Sequence, residues 1–256
     1  MPPGSRIPDE IVSCVLPPEA GLFAELSASV RLEDLGKGRR GTVLTRVDEA
    51  GGVPLVRTTT RYGGPAWRFR AVHERLARRV REGAGLPVGF DNALVEIYTN
   101  ACTTMGSHSD QALDLADESF IAVFSCYRDP GAGQPRKLVF GSKEPGDEKF
   151  EIPLVHNGIV AFSVGTNRRL RHKIVLDAPG RAADNEWLGV TFRTSKTSVR
   201  FHGGHAHLPQ GARLTVADDE QRQEFYGLRR RENREVDFVY PPLTYTISEG
   251  DLMPPA

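Results

Sequence analysis

His108, Asp110, His172 and Arg193 are the residues whose types and spacing most directly suggest chemistry. The segment MGSHSDQ sets His108 two residues before Asp110, and on a β-strand such neighbours project from one face. A second histidine, His172, stands in RRLRHKIVL, and Arg193 closes WLGVTFRTS. Two imidazoles and one carboxylate can occupy one face of a ferrous ion and leave the other face open, the ligand set of a non-haem Fe(II) centre. A histidine near an aspartate arises by chance in many chains, so the weight rests on placement. His108 follows the strand-like ALVEIYT, His172 lies between GIVAFSV and KIVL, and Arg193 ends an apolar run. All sit at edges of β-structure, where the mouth of a barrel gathers side chains.

The elements that must position these residues are mainly β. From Phe90 onward the runs ALVEIYT, FIAVFSCY, KLVFGS, KFEIPLV, GIVAFSV, RHKIVL, WLGVTFRT and TSVRF are short, β-rich and separated by glycine, proline or charge. That texture predicts a sandwich or barrel. Ahead of it, PPEAGLFAELSASV predicts a helix with Pro18 at its first position, Glu19 in its first turn, and Leu22, Leu26 and Val30 on one face. WRFRAVHERLARRVREGAG predicts another, with Val72, Leu76 and Val80 facing inward and Gly83 or Gly85 at its end. After Phe201, HGGHAHLPQGARL reads as a loop and DDEQRQEFYGLRRRENREV as a helix capped by Asp218 or Asp219. The final FVYPPLTYTISEGDLMPPA reads as an extended tail, and the first ten residues as a loose terminus.

Composition narrows the function classes. A length of 256 residues with 39% hydrophobic residues can support a real core. Lysine plus arginine equals aspartate plus glutamate at 33 each, for a net charge of zero, which disfavours a constitutive nucleic-acid binder without excluding a local basic patch. Cys14, Cys102 and Cys126 have no metal or redox spacing and read as free thiols of a reducing compartment. No apolar run reaches membrane-spanning length and the first residues lack a signal-peptide core, so a cytoplasmic protein with no membrane partner is expected.

The chain resembles the AlkB-like Fe(II)/2-oxoglutarate dioxygenases over about residues 11 to 201. VLPPEAGLFAELSASV is similar to the family's early helix, VPLVRTTTRYGG to its proline–arginine–tyrosine–glycine segment, and FDNALVEIYTN with MGSHSDQ to the stretch ending in the first two iron ligands. LVHNGIVAFSVGTNRRLRHKI is similar to the strand–turn–strand that delivers the second histidine, and LGVTFR to the closing strand. The resemblance implies a double-stranded β-helix (jelly-roll) core with flanking helices. It implies Fe(II), 2-oxoglutarate and molecular oxygen as cofactor and cosubstrates, with succinate and CO2 released. It implies His108, Asp110 and His172 as metal ligands, Arg193 as the ion-pair partner of 2-oxoglutarate and Tyr98 as a hydrogen-bond donor to it. An arginine fork suits a carboxylate taken out of water. With Asp110 present, hydroxylation, demethylation or desaturation is implied rather than halogenation, which in relatives needs the carboxylate position vacated.

Two positions depart from the family. Glu96 stands where an asparagine is usual, and Trp187 where a second arginine is usual, so the cosubstrate anchor is altered more than the metal set. Arg200 lies at an odd offset from Arg193 and should face away; Arg171 or Arg181 are the alternative anchors. His202, His205 and His207 are read as a polar loop rather than a metal site, since no carboxylate or cysteine has the needed spacing. Arg168, Arg169 and Arg171 lead into His172, where contact with a phosphate and exposure to solvent are equally compatible with the sequence. The other arginine clusters, RLARRVR and LRRRENR, read as solvated helix faces. Trp67 and Phe69 read as core more than as a base-stacking lid, and Asn92 as a turn cap. The expected organisation is one structural domain: 1–89 helices and loops packing on the core, 90–201 the catalytic core, and 202–256 a C-terminal extension. Two enzymatic readings of substrate follow. One is a small molecule, such as a nucleoside, nucleotide or amino-acid-derived metabolite; the other is an alkylated base in single-stranded DNA or RNA. A catalytically silent jelly-roll that binds a ligand is the non-enzymatic alternative.

Overall fold

The computed structural model describes residues 10–144, 149–177 and 185–256. The first part of the chain forms β1 (Ile11–Val15), α1 (Leu22–Ser29), β2 (Glu33–Asp34), β3 (Arg39–Thr45), β4 (Val53–Leu55), β5 (Trp67–Arg68) and α2 (Ala71–Gly83). The central part forms β6 (Asn92–Tyr98), β7 (Phe120–Tyr127), β8 (Lys137–Ser142), β9 (Phe150–Pro153), β10 (Gly158–Ser163), α3 (Val164–Arg169), β11 (Leu170–Val175) and β12 (Trp187–Arg193). Then come β13 (Thr197–His202), β14 (His205–His207), β15 (Thr215–Val216), α4 (Asp219–Glu232) and β16 (Tyr245–Thr246).

The larger sheet runs β1-β10-β7-β12-β6-β3-β2, with β5 added beside β3, and the smaller runs β11-β8-β9. Within these two sheets every pair is antiparallel except β3 with β5. All seven residues of β6 are buried, which requires cover on both faces of the larger sheet. Period-two alternation assigns the faces. Ala93, Val95 and Ile97 pack with Leu26, Val72, Leu76 and Val80 of the helices. Tyr98 joins Ile121, Val123, Phe162 and Trp187 in a second core with Leu138 and Phe140 of the smaller sheet. The two sheets face one another as the walls of a jelly-roll, with helices on the outer face of the larger one.

Most strands fall where the sequence places them, and the differences have local causes. The first helix begins at Leu22, not Pro18, because Gly21 at φ 75° breaks the helical path; Glu19 instead ion-pairs with Arg75 and Arg79 of α2. Gly85, at φ 64°, supplies the left-handed residue just past α2. Residues 11–45 add β1, β2 and β3 to the larger sheet, so the N-terminal part is more than helices and loops. RRGTVLT has no clean alternation, and its register comes from pairing with β6. The expected loop after Phe201 is a β13–β14 hairpin, closed by Gly203 and Gly204 with φ of 58° and 80°, the pair of positive angles a tight primed turn needs. Asp218 caps α4 in a reciprocal capping box with Gln221. The tail is extended but not loose. Phe238, Leu243, Tyr245 and Ile247 form a third core with Phe225 and Leu228 of α4, and the Ala256 backbone pairs with Ala66 and Arg68. The first nine residues lie outside the described residues.

His73 ties α2 to α1. Its Nδ1 accepts from the Arg70 backbone N–H at 3.0 Å, and its Nε2 lies 2.8 Å from the Ser29 hydroxyl. Burial, reinforced by Arg70, pushes its pKa down to about 4 from an ordinary 6.5. The folded state thus binds this proton less readily than the unfolded state, so the stabilisation is complete above pH 6.5 and is lost as pH falls towards about 4. His73→Gln should flatten the decline of stability across that window in urea titrations; an unchanged slope would refute the assignment.

Candidate metal centre

His108, Asp110 and His172 converge at the mouth of the space between the sheets. One ligand atom from each lies within 4.8 Å of the others, the only such cluster among the described residues. His108 and Asp110 do not share a regular strand. His108 forms an isolated antiparallel bridge to His172 of β11, with paired backbone bonds of 2.9 and 2.6 Å. This bridge brings the two rings to 4.9 Å between centroids. Phe140 and Phe162 back the His172 ring. The His108 Nδ1 lies 2.7 Å from the Gly106 carbonyl, so an N–H there donates outward and leaves Nε2 as a lone-pair donor to the cluster. Burial and the adjacent His172 push His108 down to about 4, which keeps it neutral and ready to ligate.

Asp110 is oriented from two sides. Arg193 donates Nε and Nη2 to its Oδ2 at 2.8 and 2.5 Å, while Oδ1 faces the histidines, 3.4 Å from His172 Nε2 and 3.9 Å from His108 Nε2. Burial alone would raise the Asp110 pKa; Arg193 and the two histidines outweigh it and hold the carboxyl well below its usual range. Asn167 of α3 grips its backbone, accepting from Asp110 N–H at 2.7 Å and donating to its carbonyl at 2.8 Å. The carboxylate thus presents one oxygen to a metal and gives the other to an arginine.

The C-terminal segment holds the same loop, which the sequence does not announce. Asn233 Oδ1 accepts from Ser109 N–H at 2.9 Å, Glu232 Oε1 from Ala112 N–H at 2.7 Å, and Arg229 donates to the Ser109 carbonyl. Arg229 and Glu232 also pair with each other, and Tyr240 donates to Glu232 at 2.7 Å. The only hint was a polar cluster, LRRRENR, that read as a solvated face. Asn233→Ala leaves a buried N–H of the ligand loop without its acceptor, a loss of about 1–3 kcal/mol. Fe(II) affinity should fall roughly 10- to 100-fold, as for other groups that orient metal ligands; equal affinity in an anaerobic titration would show the clamp to be unconnected with the centre.

The cavity below the cluster has a volume of about 360 Å³ and is lined by Arg39, Glu96, Tyr98, Thr191, Arg193 and Arg229 among others. Tyr98 lines it as expected, but its hydroxyl donates to Glu96 at 2.9 Å. Arg193 spends two donors on Asp110 and keeps a buried Nη1 with no partner among the described residues. Gln111 also carries an unsatisfied buried amide beside the cavity. An unpaired guanidinium nitrogen beside a two-histidine, one-carboxylate set fits a metal-bound acid anion. Trp187 is buried in place of a cation, its indole folded over Gly189, where an added Cβ would lie 2.2 Å from the ring. Arg39, whose role the sequence reading missed, sits on β3 and binds Glu96 at 2.5 Å.

Other candidates fall elsewhere. Arg200 lies on β13 beside Asp48, His202 and His207, away from the cluster. Among the described residues Arg171 donates to the Ser142 carbonyl at 3.4 Å, and Arg181 lies outside them. Arg168 and Arg169 pair with Asp117 and Glu10 rather than standing free for phosphate. Trp67 and Phe69 pack on the helix-side core, with Phe69 edge-on to Phe192 at 6.4 Å, so they form no lid over the cavity. Asn92 is buried with its amide unpaired rather than capping a turn.

Residues 45–193, more than half of the chain, match the family described as the 2OG-Fe(II) oxygenase superfamily. Two solved structures are similar. OsALKBH1 is 14% identical with a TM-score of 0.51, covering 75% of this chain and 100% of that one. A Pseudomonas putida prolyl-4-hydroxylase is 13% identical with a TM-score of 0.41, covering 72% and 92%. No curated protein sequence matches the chain. No helix among the described residues is long and apolar enough to cross a membrane.

Proposed function

The chain belongs to the 2OG-Fe(II) oxygenase superfamily, an Fe(II)- and 2-oxoglutarate-dependent dioxygenase, and from that premise we propose that His108, Asp110 and His172 hold its iron for oxidation of a small polar molecule. The observation that carries this reading is the convergence of the three ligand atoms beside a cavity that also holds an unpaired arginine nitrogen. Iron, 2-oxoglutarate and oxygen together supply the oxidising chemistry, with release of succinate and CO2. The protein supplies positions and charge. His108 and His172 donate neutral imidazole nitrogens, and Asp110 gives one carboxylate oxygen. Arg193 fixes that carboxylate and turns its remaining nitrogen to the acid group of the cosubstrate. Arg229 and Asn233 line the open side and meet the substrate there.

Cavity chemistry favours a small hydroxylation or demethylation substrate over a flipped base. A base needs a stacking platform and a basic strand groove. Among the described lining residues the only aromatic ring besides the two histidines is Tyr98, which is fully buried. Trp67 and Phe69 lie against the other face of the sheet, and the net charge is zero. The resemblance of residues 11 to 201 to AlkB-like dioxygenases keeps the nucleic-acid reading as the alternative.

The test is an anaerobic titration with Fe(II) and then 2-oxoglutarate, following the visible charge-transfer band of the chelate, with His108→Ala as control. A band lost in the control is the expected result; an equal band in His108→Ala would end the assignment. Salt-dependent binding of single-stranded DNA or RNA would transfer the substrate reading to alkylated bases.

A further inference from the structure

One cross-strand row on the cavity side of the larger sheet combines a blocked position with a cation from another strand. Trp187 of β12 stands opposite Tyr98 of β6, and Tyr98 stands opposite Arg39 of β3. Residues directly opposite share a face. The rings of Trp187 and Tyr98 lie 5.0 Å apart, and the Arg39 guanidinium lies 5.9 Å from the Tyr98 ring on its other side. In the next row on the same face, Glu96 is flanked by Gly189 and Gly41. The indole folds over Gly189, and Arg39 reaches Glu96.

Three arginines line the cavity, and their donors are committed differently. Arg229 gives both terminal nitrogens to Glu232 and the Ser109 carbonyl. Arg193 gives two donors to Asp110, at the iron end. Arg39 gives Nε and Nη2 to Glu96 and Nη2 also to Thr60, leaving Nη1 unbonded among the described residues. Beside it, the buried Tyr62 hydroxyl is within reach of the Arg39 guanidinium but makes no hydrogen bond of good geometry among the described residues. A dicarboxylic keto acid with its keto-acid end at the iron puts its second carboxylate two methylenes away. That group needs a charge-assisted donor not already spent.

We infer that Arg39, backed by Tyr62, binds the distal carboxylate of 2-oxoglutarate, from β3 rather than from the β12 position filled by Trp187. Glu96 holds two nitrogens of the guanidinium and aims the third. Thr60 and Thr191 add hydroxyls to the same wall. The inference rests on the iron ligands proposed above.

The test compares 2-oxoglutarate with 2-oxovalerate, which replaces the distal carboxylate by a methyl group. Both are titrated anaerobically into the Fe(II)-loaded full chain, and binding is read from the chelate band. Wild type should prefer 2-oxoglutarate roughly 10- to 100-fold, the range of a charged hydrogen bond. Arg39→Gln leaves Glu96 unpaired, so the pair Arg39→Gln with Glu96→Gln is measured beside it. In both, the preference should collapse towards unity while 2-oxovalerate binding is kept. Arg40→Ala, exposed and paired with Glu186, should leave the preference intact. A preference that survives in the double variant and disappears in Arg229→Met would overturn the inference and leave the iron reading standing. No band with either acid in wild type would overturn both.

Discussion

Asp110→Ala should lose Fe(II) binding and 2-oxoglutarate turnover together and also lower the stability of the iron-free protein. The first loss removes one of three ligands. The second follows from Arg193, which is 5% exposed and gives two nitrogens to Asp110. Removing one partner of a buried pair strands the other, at about 3–5 kcal/mol. Pairing Asp110→Ala with Arg193→Met should recover much of the stability in urea denaturation and none of the iron binding. That split separates the carboxylate's ligand role from its structural one. Stoichiometric iron in Asp110→Ala would refute the ligand set.

The second large effect is expected far from the cluster. Arg57 and Asp114 are 4% and 0% exposed at their side chains. Asp114 accepts from Arg57 N–H, Nε and Nη2 at 2.8–2.9 Å, and Arg57 Nη1 donates to the carbonyls of Leu243 and Tyr245 at 2.9 and 3.0 Å. One guanidinium therefore joins the segment before the core, the loop after Asp110 and the C-terminal tail. Arg57→Met strands the Asp114 carboxylate and frees two buried carbonyls, so a loss of about 3–5 kcal/mol is expected. Combining it with Asp114→Leu should return only part of that loss, the part due to the stranded carboxylate, because the Leu243 and Tyr245 carbonyls and the Arg57 N–H stay without their partners. A midpoint of unfolding unchanged by Arg57→Met would show that the tail is held by its apolar contacts alone.

The legible part of this chain was its local chemistry. The strands of the central part declared themselves through β-branched and aromatic runs bounded by glycine and charge, and Val72, Leu76 and Val80 declared α2 by spacing. His108, Asp110 and His172 were legible because metal ligation restricts residue type. The illegible part was long-range. RRGTVLT carries no strand signature of its own and is a strand because β6 pairs with it. Nothing in the glycine-rich LGKGRRG shows that a partner strand will turn Arg39 towards Glu96. Asn233 and Arg229 meet Ser109 across more than a hundred residues, a contact set by tertiary packing alone. Even the His108–Asp110 spacing pointed to residues that do converge, but by an incorrect route. Their convergence comes from a bridge to His172 and a grip by Asn167, not from strand alternation.

The clamp at the end of α4 imposes an order in time. The loop carrying His108 and Asp110 takes three of its hydrogen bonds from Arg229, Glu232 and Asn233, which the ribosome adds more than a hundred residues later. While those residues remain in the exit tunnel, the jelly-roll strands can already pair and Asn167 can already hold Asp110, but the loop lacks its outer bracing. Full bracing of the ligand loop is thereby tied to the emergence and folding of α4.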